Sequence, residues 1–455
     1  MMNMTTRVYR YPLDPTPQQL KLLHRYAEAY RATYNYGWGI KNQAQTNWTW
    51  GRDRLIEQGH TKEEANKKAP KGDVPSAFTL TTIFRRNRNL PLYGKMCAHM
   101  PSRTLYPWWQ HVNENMCCQA FVDLDRAWKN WQAGRANYPK PKQSGKCKES
   151  FRTQGIKKLP DSRHVTIPGN KTNLRGGFTI RLHRPASSML RTLNRYADVK
   201  GSGIKGATFA REGTRWFVSF NVSIPEPRAA RPDKNQRAAG AIGVDLGVAL
   251  MAATSTPLNV AGTERREHAN PRHIDNAERA LKRWQARAAR RYAKGKSASG
   301  QSRGWHEAQR HVSRLHALVA ARRRGYQHLL TKALVTQFEH VVIEDLKVKN
   351  MTKSAKGTVE EPGRNVAQKS GLNREILRVG WGEIRRQLEY KSAWYGSKVT
   401  AVNPAYTSRT CSNCNHQDAG SRRSQSEFVC TSCGHADNAD TNAAIQIRKR
   451  GLMNA

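Results

Sequence analysis

At 455 residues with an apolar fraction of 38%, the chain is long enough for two to four domains with true hydrophobic cores. Its 78 Lys and Arg against 34 acids leave a net charge of +44, a surplus that would destabilise a compact chain unless a polyanion balanced it, and nucleic acid is the usual one. A mean hydropathy of −0.79 and the lack of any uninterrupted apolar run near the ~18 residues of a membrane span exclude a spanning helix, and "MMNMTTRVYRYPLDPTPQQ" lacks the apolar core of a signal peptide, so a cytoplasmic or nucleoid location is expected.

After a short strand-like start, "QQLKLLHRYAEAYRATYNYGWGI" carries the 3.6-residue period of a helix, entered through Pro17. Helices dominate to about residue 135. Between them, "KKAPKGDVPSAFTLTTIFRRNRNLPLYGK" reads as a loop-rich basic insertion. In "AFVDLDRAWKNWQAG" the stripe Phe121, Leu124, Ala127, Trp128 and Trp131 reads as a packing face, with a base-stacking platform as its alternative. From about 150 to 224 the period drops to two. Val218, Phe220, Val222 and Ile224 alternate with Ser219, Asn221 and Ser223, as in a half-buried antiparallel strand of a small β-barrel or sheet. The aperiodic "PEPRAARPDKNQRAAG" is the best domain boundary.

"AAGAIGVDLGVALMAATS" follows, a buried strand with one acid in its middle. Ile242, Val244, Leu246 and Val248 form its apolar face, and Gly243, Asp245 and Gly247 the other, so Asp245 projects from a face cleared of side chains. The glycines would leave room for a metal and a phosphate; a turn-closing Asp is the alternative. In the helix "NAERALKRWQARAARRY", Ala277, Leu281, Trp284 and Ala288 point inward. Arg279, Lys282, Arg283, Arg287, Arg290 and Arg291 lie outside that stripe, the last four without acids at i±4 to compensate them, which suits a phosphate backbone. "EHVVIEDLKVKNM" is a second buried strand ending in Glu344 and Asp345, and in "CGHADNADTNAAIQIRKRG" Asp440 precedes a short helix, where it could equally serve as a helix cap.

Asp245, Glu344 and Asp440 stand 99 and then 96 residues apart, each at the mouth of a regular element. Three hard oxygen ligands that converge need a neutralising cation, Mg2+ or Mn2+, and two such ions could clamp the attacking and leaving oxygens of a phosphodiester. "CSNCNHQDAGSRRSQSEFVCTSCGH" holds two C-x2-C pairs with fifteen residues between them, the spacing of a zinc ribbon with Cys411, Cys414, Cys430 and Cys433 as ligands. Disulfides are the alternative, disfavoured in a reducing compartment. His416 and His435 are spare donors, and Arg422 and Arg423 at the ribbon's tip are candidates for touching DNA. Cys97, Cys117, Cys118 and Cys147 read as buried or free thiols.

"GVDLGV", "VVIEDLKVKNM", "YKSAWYGSKVTAVNPAYTSRTCSNC" and "CGHADNADTNAA" closely resemble the three RuvC motifs and embedded zinc ribbon of the TnpB family, RNA-guided nucleases of insertion sequences related to the miniature type V CRISPR effectors. The amino half matches more loosely, through "YRATYNYGW", "DLDRAWKNW" and "ANYPKPK". The resemblance implies a multidomain α/β chain. A β-barrel wedge domain would take residues 1–15 and 150–230, and a helical recognition domain 16–149. An RNase H-like nuclease domain would span 238–404 and 437–455, interrupted by a zinc ribbon at 405–436.

On that resemblance the catalytic carboxylates and Mg2+ or Mn2+ ligands fall on Asp245, Glu344 and Asp440, and the Zn2+ ligands on the four cysteines. A guide RNA and double- and single-stranded DNA are the implied partners, with monomer or homodimer open and no membrane. "TKSAKGTVEEPGRNVAQKSGLN", residues 352–372 with their ends, would be a lid over the site, or else an ordinary connection. One departure stands out: the glycine usual after the first cysteine pair is Asn415. The function implied is guide-directed cleavage of DNA beside a short motif that the protein itself reads. A guide-independent transposase or resolvase and a non-cleaving RNA-guided binder are the alternatives.

Overall fold

The computed structural model describes residues 3–69, 74–87, 112–169, 177–226, 230–269, 271–296, 300–358 and 361–453, so Cys97 lies outside the described residues. The chain divides into two compact units, Met1–Glu226 and Pro227–Ala455.

The first unit opens with β1 (Met4–Asp14) and α1 (Pro17–Glu57), whose first turn is closed by a reciprocal pair of bonds between Thr16 and Gln19. Then follow α2 (Lys62–Lys68), α3 (Ala77–Asn87), α4 (Glu114–Gln132), β2 (Ser150–Thr153), β3 (His164–Ile167), β4 (Phe178–Leu182), α5 (Ser187–Arg195), β5 (Gly203–Glu212) and β6 (Arg215–Pro225). The six strands pair antiparallel in the order β2-β5-β6-β1-β4-β3. Val218, Phe220, Val222 and Ile224 face a core shared with Tyr26, Phe121, Leu124 and Trp128, so the α4 stripe is packing rather than a stacking platform. Two expectations are corrected here. Among the described residues the sheet is open, with β2 and β3 at its edges instead of closing a barrel. The loop-rich insertion holds the helix α3, which Ser76 caps and whose Leu80 and Phe84, one turn apart, are buried, Phe84 meeting Phe121 at 5.7 Å.

In the second unit, α6 (Lys234–Ala239) leads into β7 (Ala241–Asp245), β8 (Leu250–Val260) and β9 (Thr263–Ala269). A helical pair follows, α7 (Arg272–Arg290) and α8 (Arg303–Gln337), then β10 (His340–Glu344), α9 (Val348–Met351), α10 (Val366–Val379), α11 (Trp381–Tyr395) and β11 (Lys398–Val402). The small ribbon strands β12 (Glu427–Val429) and β13 (Ala436–Asn438) precede the last helix, α12 (Ala439–Met453). The main sheet runs β11-β10-β7-β8-β9. β10 is parallel to both β7 and β11, while β7-β8 and β8-β9 are antiparallel. Ile242 and Val244 project into a core with Leu330 and Leu334 of α8 and Ile384 and Leu388 of α11; Val342 and Val402 project the other way, onto Ile447 of α12. No helix is long and apolar enough to cross a membrane among the described residues.

The segment offered as a lid or a connection is partly helical. Its second half is the start of α10, and two α10 side chains hold its first residues: Lys369 Nζ donates to Met351 O at 2.6 Å, and Asn373 Nδ2 to Thr352 O and Lys353 O at 3.1 Å each.

The close seat of α12 on the sheet explains Gly243. A Cβ at this position would stand 2.0 Å from Ala444 O and 2.6 Å from Arg448 N, both backbone atoms of α12, and one on Gly451 of the same helix would stand 2.4 Å from a Val342 methyl. The cleared face of β7 is therefore filled by a helix and is not a space for metal and phosphate. Gly247 belongs to the turn into β8, where a Cβ would meet Leu250 O at 3.0 Å. Gly243→Ala must push α12 outward, so we expect it to destabilise the protein by about 2–3 kcal/mol, in the range of core overpacking. Chemical denaturation measures this, and an unchanged midpoint would disprove the close seat.

Candidate active site and zinc ribbon

β7 and β10 run parallel and in register, with Ile343 opposite Val244. The next residue on each strand, Asp245 and Glu344, therefore share one face of neighbouring strands at the carboxyl edge of the sheet, where adjacent strands lie about 4.8 Å apart. α12 brings the third acid to that edge, since Asp440 lies in its first turn. The cap of α12 is Asn438, whose Oδ1 accepts from Asp440 N at 2.9 Å and Thr441 N at 3.3 Å, which leaves the Asp440 carboxylate free of the capping role.

Asp245 responds to both of the other acids. Burial first, then the charges of Glu344 and Asp440, push the Asp245 carboxyl up to about 7, while the Arg422 guanidinium pulls it partly back. Among the described residues no side chain or backbone group donates a hydrogen bond to the Asp245 carboxylate, so it closes no turn. Glu344 is also raised by burial, against the opposing pull of a 2.6 Å hydrogen bond from Thr407 Oγ1 and the charge of Arg450. Its neighbour Asp345 is a different kind of acid: half-buried, held low by Lys347 and Arg385, and engaged in ion pairs with both. Carboxylate oxygens are the donor type that hard divalent cations prefer.

Arg422 is not a free tip residue. Its Nη2 donates to Asp440 Oδ1 at 3.1 Å, so its cationic head sits within the acid cluster, whereas Arg423 is exposed and only loosely paired with Glu427, at 4.0 Å. On α7, Arg279, Lys282, Arg283, Arg287 and Arg290 are exposed. The two acids of that helix, Asp275 and Glu278, both face Arg378 of α10, at 3.7 and 2.7 Å, and so do little to offset this basic face. Arg287 lies 5.0 Å over the Trp284 ring, itself stacked on His311 at 3.8 Å. Arg291 departs from the expected outward set: it is half-buried and donates to Gly304 O at 2.8 Å, closing the α7–α8 turn.

The four cysteine sulfurs lie within 4.8 Å of one another, the one group of metal-type donors gathered this closely among the described residues. Cys411 Sγ and Cys433 Sγ are 3.7 Å apart and Cys414 Sγ and Cys430 Sγ 3.6 Å. Tetrahedral Zn2+ with Zn–S near 2.3 Å needs sulfurs about 3.8 Å apart, so the set fits zinc, and no disulfide joins them. The two knuckles repeat one geometry. Asn415 N donates to Cys411 O and Gly434 N to Cys430 O, and both residues have left-handed backbones, with φ of 62° and 70°. Asparagine tolerates that region better than most residues with a side chain, so Asn415 substitutes for glycine without breaking the turn. His435 Nε2 is engaged with Ser412 Oγ at 3.1 Å, outside the thiol set.

The sequence suggests a ribbon that holds the Asp440 segment, but not which residues make the joint between them. One polar stripe of α12, Asn442, Gln446 and Lys449, bonds the backbone of the first knuckle. Asn442 accepts from Ser412 N at 2.7 Å and donates to Thr410 O at 2.9 Å, Gln446 donates to Cys411 O, and Lys449 donates to Ser412 O at 2.6 Å. The signal was present as polar residues at i, i+4 and i+7 of the last helix. Thr407 left no such trace.

Comparison with known proteins gives a consistent pattern. Residues 219–355 match the OrfB IS605 family, described as "Probable transposase", residues 1–45 the helix-turn-helix domain of that family, and residues 381–447 the Cas12f1-like TNB domain. Over residues 1–45 the structure shows β1 followed by the first part of one continuous helix. The chain is 35% identical over 454 residues to the "Putative RNA-guided DNA endonuclease InsQ" of Escherichia coli K12, covering 98% of this chain and 92% of that protein. It is 27% identical over 241 residues to the "CRISPR-associated endodeoxyribonuclease Cas12f1" of Sulfoacidibacillus thermotolerans, covering 51% of this chain and 50% of that one. A solved Cas12f1–sgRNA–target DNA complex aligns over 98% of this chain and 99% of its own, with a TM-score of 0.46 and 12% identity.

Two outcomes test this site. Cys411→Ser combined with Cys414→Ser should lower bound zinc from about one ion per chain to none by elemental analysis, and lower thermal stability with it, because the knuckle that α12 grips loses its anchor. Undiminished zinc would overturn the ligand set. Asp245 has a folded pKa near 7 against about 3.9 for a free Asp, so in buffer without added divalent cation its ionisation weakens the fold as pH rises through that window. Asp245→Asn should therefore stabilise the protein by about 1–3 kcal/mol at pH 8 and show little of that gain near pH 4. A pH-independent difference would mean that Asp245 does not carry this strain.

Proposed function

Because the chain belongs to the OrfB IS605 (TnpB) family, we propose that it is an RNA-guided DNA endonuclease whose cleavage centre is Asp245, Glu344 and Asp440. The observation that carries this reading is the Asp245 carboxylate, desolvated, without a hydrogen-bond donor, and facing two further acids. Asp245, Glu344 and Asp440 would hold Mg2+ or Mn2+, which supplies the positive charge that polarises a water and the scissile phosphate; a pair of ions would serve both oxygens of an in-line displacement. The chain's own contributions are positional. The in-register strand ends align two acids, α12 presents the third, Thr407 fixes the Glu344 carboxylate, and Arg422 supplies a cation beside Asp440 that can meet a phosphate oxygen.

On the same reading, guide RNA and DNA are the polyanions that balance the net charge of +44, and the exposed basic face of α7, with Arg287 and Arg290, lies along one of them. Base pairing selects the target and the protein reads a short adjacent motif. In the first unit the strands of residues 1–15 and 150–230 form the wedge, and the helices of residues 16–149 the recognition domain. In the second, residues 238–404 and 437–455 form the nuclease domain around the ribbon at 405–436.

Asp245→Ala should abolish scission of guided target DNA in Mg2+ while leaving guide RNA binding and guided target binding intact by gel shift, since those depend on basic surfaces and base pairing. Scission at the wild-type rate by the variant would end the metal-site reading. Guide affinity should fall steeply with salt, and Arg287→Ala with Arg290→Ala should make the slope of log affinity against log salt shallower by about one to two. An unchanged slope would remove α7 from the interface.

A further inference from the structure

The loop between β11 and the first cysteine contains a residue whose conformation packing does not explain. Tyr406 has φ 62° and ψ 8°, the left-handed region that a residue with a Cβ enters rarely and at a cost. Its ring is 55% exposed, and among the described residues its side chain makes no hydrogen bond, ring stack or cation–π contact. The strained backbone therefore serves neither a core contact nor a buried polar partner.

The surrounding loop enforces the conformation. Arg450 Nη1 donates to Asn403 O at 3.0 Å and Ala405 O at 2.6 Å, Asn403 Oδ1 accepts from Ala405 N at 2.9 Å, and Tyr406 O accepts from Thr410 Oγ1 at 2.8 Å and Arg409 N at 3.1 Å. The next residue shows what this achieves. Thr407 is buried and donates to Glu344, so the loop turns one side chain onto an acid of the cluster and leaves the preceding aromatic ring in solvent. Consecutive Cα atoms are about 3.8 Å apart and Thr407 touches Glu344, so the ring stands within roughly two nucleotides of any phosphate held at Glu344.

We propose that Tyr406 is a substrate-binding residue on whose ring a nucleobase of the DNA strand stacks beside the scissile phosphate. The inference rests on the nuclease reading above. Every base has a π-face, so a stacking platform holds the strand without selecting its sequence, as a guided enzyme requires. Exposed Arg409, three residues on, adds a positive charge for the flanking backbone.

The guide-loaded protein carrying Asp245→Ala, which binds target without cutting it, is titrated with single-stranded DNA bearing 2-aminopurine at successive positions around the cleavage point. One position should show quenching that Tyr406→Ala removes and Tyr406→Trp keeps. In cutting protein, Tyr406→Ala should raise KM about ten-fold or more with a smaller change in kcat. An abasic nucleotide at the quenched position should impose the same loss on the protein with Tyr406 and no further loss on Tyr406→Ala. Tyr406→Gly, which suits the left-handed backbone, should melt at or above the wild-type temperature yet keep the cleavage defect, separating stacking from folding. Wild-type KM in Tyr406→Ala, or equal abasic losses in both proteins, would overturn the proposal. The binding arm does not depend on cleavage, so persistent cutting by Asp245→Ala would sink the metal-site reading while the quenching still decides Tyr406.

Discussion

The second unit is organised by a helix lying on a strand with no side chain between them. At Gly243 the backbone of α12 reaches β7 so closely that even a methyl group has no room, and at Gly451 the same helix leans on Val342. That contact sets the height of α12 above the sheet and with it the position of Asp440, two residues past its cap. The other two acids need no such device, because adjacent parallel strands in register deliver their terminal residues to the same edge. Two come from hydrogen-bonded geometry and one from packing. The packed one is the more easily displaced.

Bringing carboxylates together this closely is electrostatically unfavourable, and the chain meets the cost in several ways. Asp245 moves toward neutrality, Glu344 receives a hydroxyl hydrogen bond, and Asp440 takes the guanidinium of Arg422. The arrangement leaves an unequal set: one acid without a partner, flanked by two that have one. Asp345, adjacent in sequence to Glu344, points to a different outcome, since two cations already satisfy it at the surface. The distinction between neighbouring acids is thus one of environment, not residue type.

Much of this was legible in the sequence, for identifiable reasons. β7 and β10 announce themselves through alternating or continuous apolar residues ending in an acid, and the cysteine pairs through spacing that tetrahedral coordination dictates. The glycines beside Asp245 were harder. Glycine in a strand signals a close approach but not what approaches, and here it is the chain's own helix at Gly243 and a turn at Gly247. α3 was hidden because Pro, Gly and basic residues on either side outweigh its two buried apolar residues, Leu80 and Phe84. The barrel expectation failed because local alternation specifies strands without specifying whether the edges meet. Arg422 and Arg291 looked like surface charge, and only their tertiary partners, an acid in α12 and a carbonyl in α8, show otherwise.

Apart from one bond from Gln446 to the Asn415 side chain, the stripe of Asn442, Gln446 and Lys449 grips the ribbon through carbonyl oxygens and an amide, atoms that every residue possesses. A joint built on main-chain atoms is indifferent to the side chains of the segment it holds. Residues of the first knuckle other than its cysteines and Asn415, and the exposed stretch from 423 to 427, can then drift over evolutionary time without loosening the attachment, so long as the turn keeps its shape. Sequence divergence at the ribbon's surface and mechanical coupling at its root are separable in this design, and a ribbon with a different exposed face could be grafted onto the same helix without rebuilding the acid-bearing edge of the sheet.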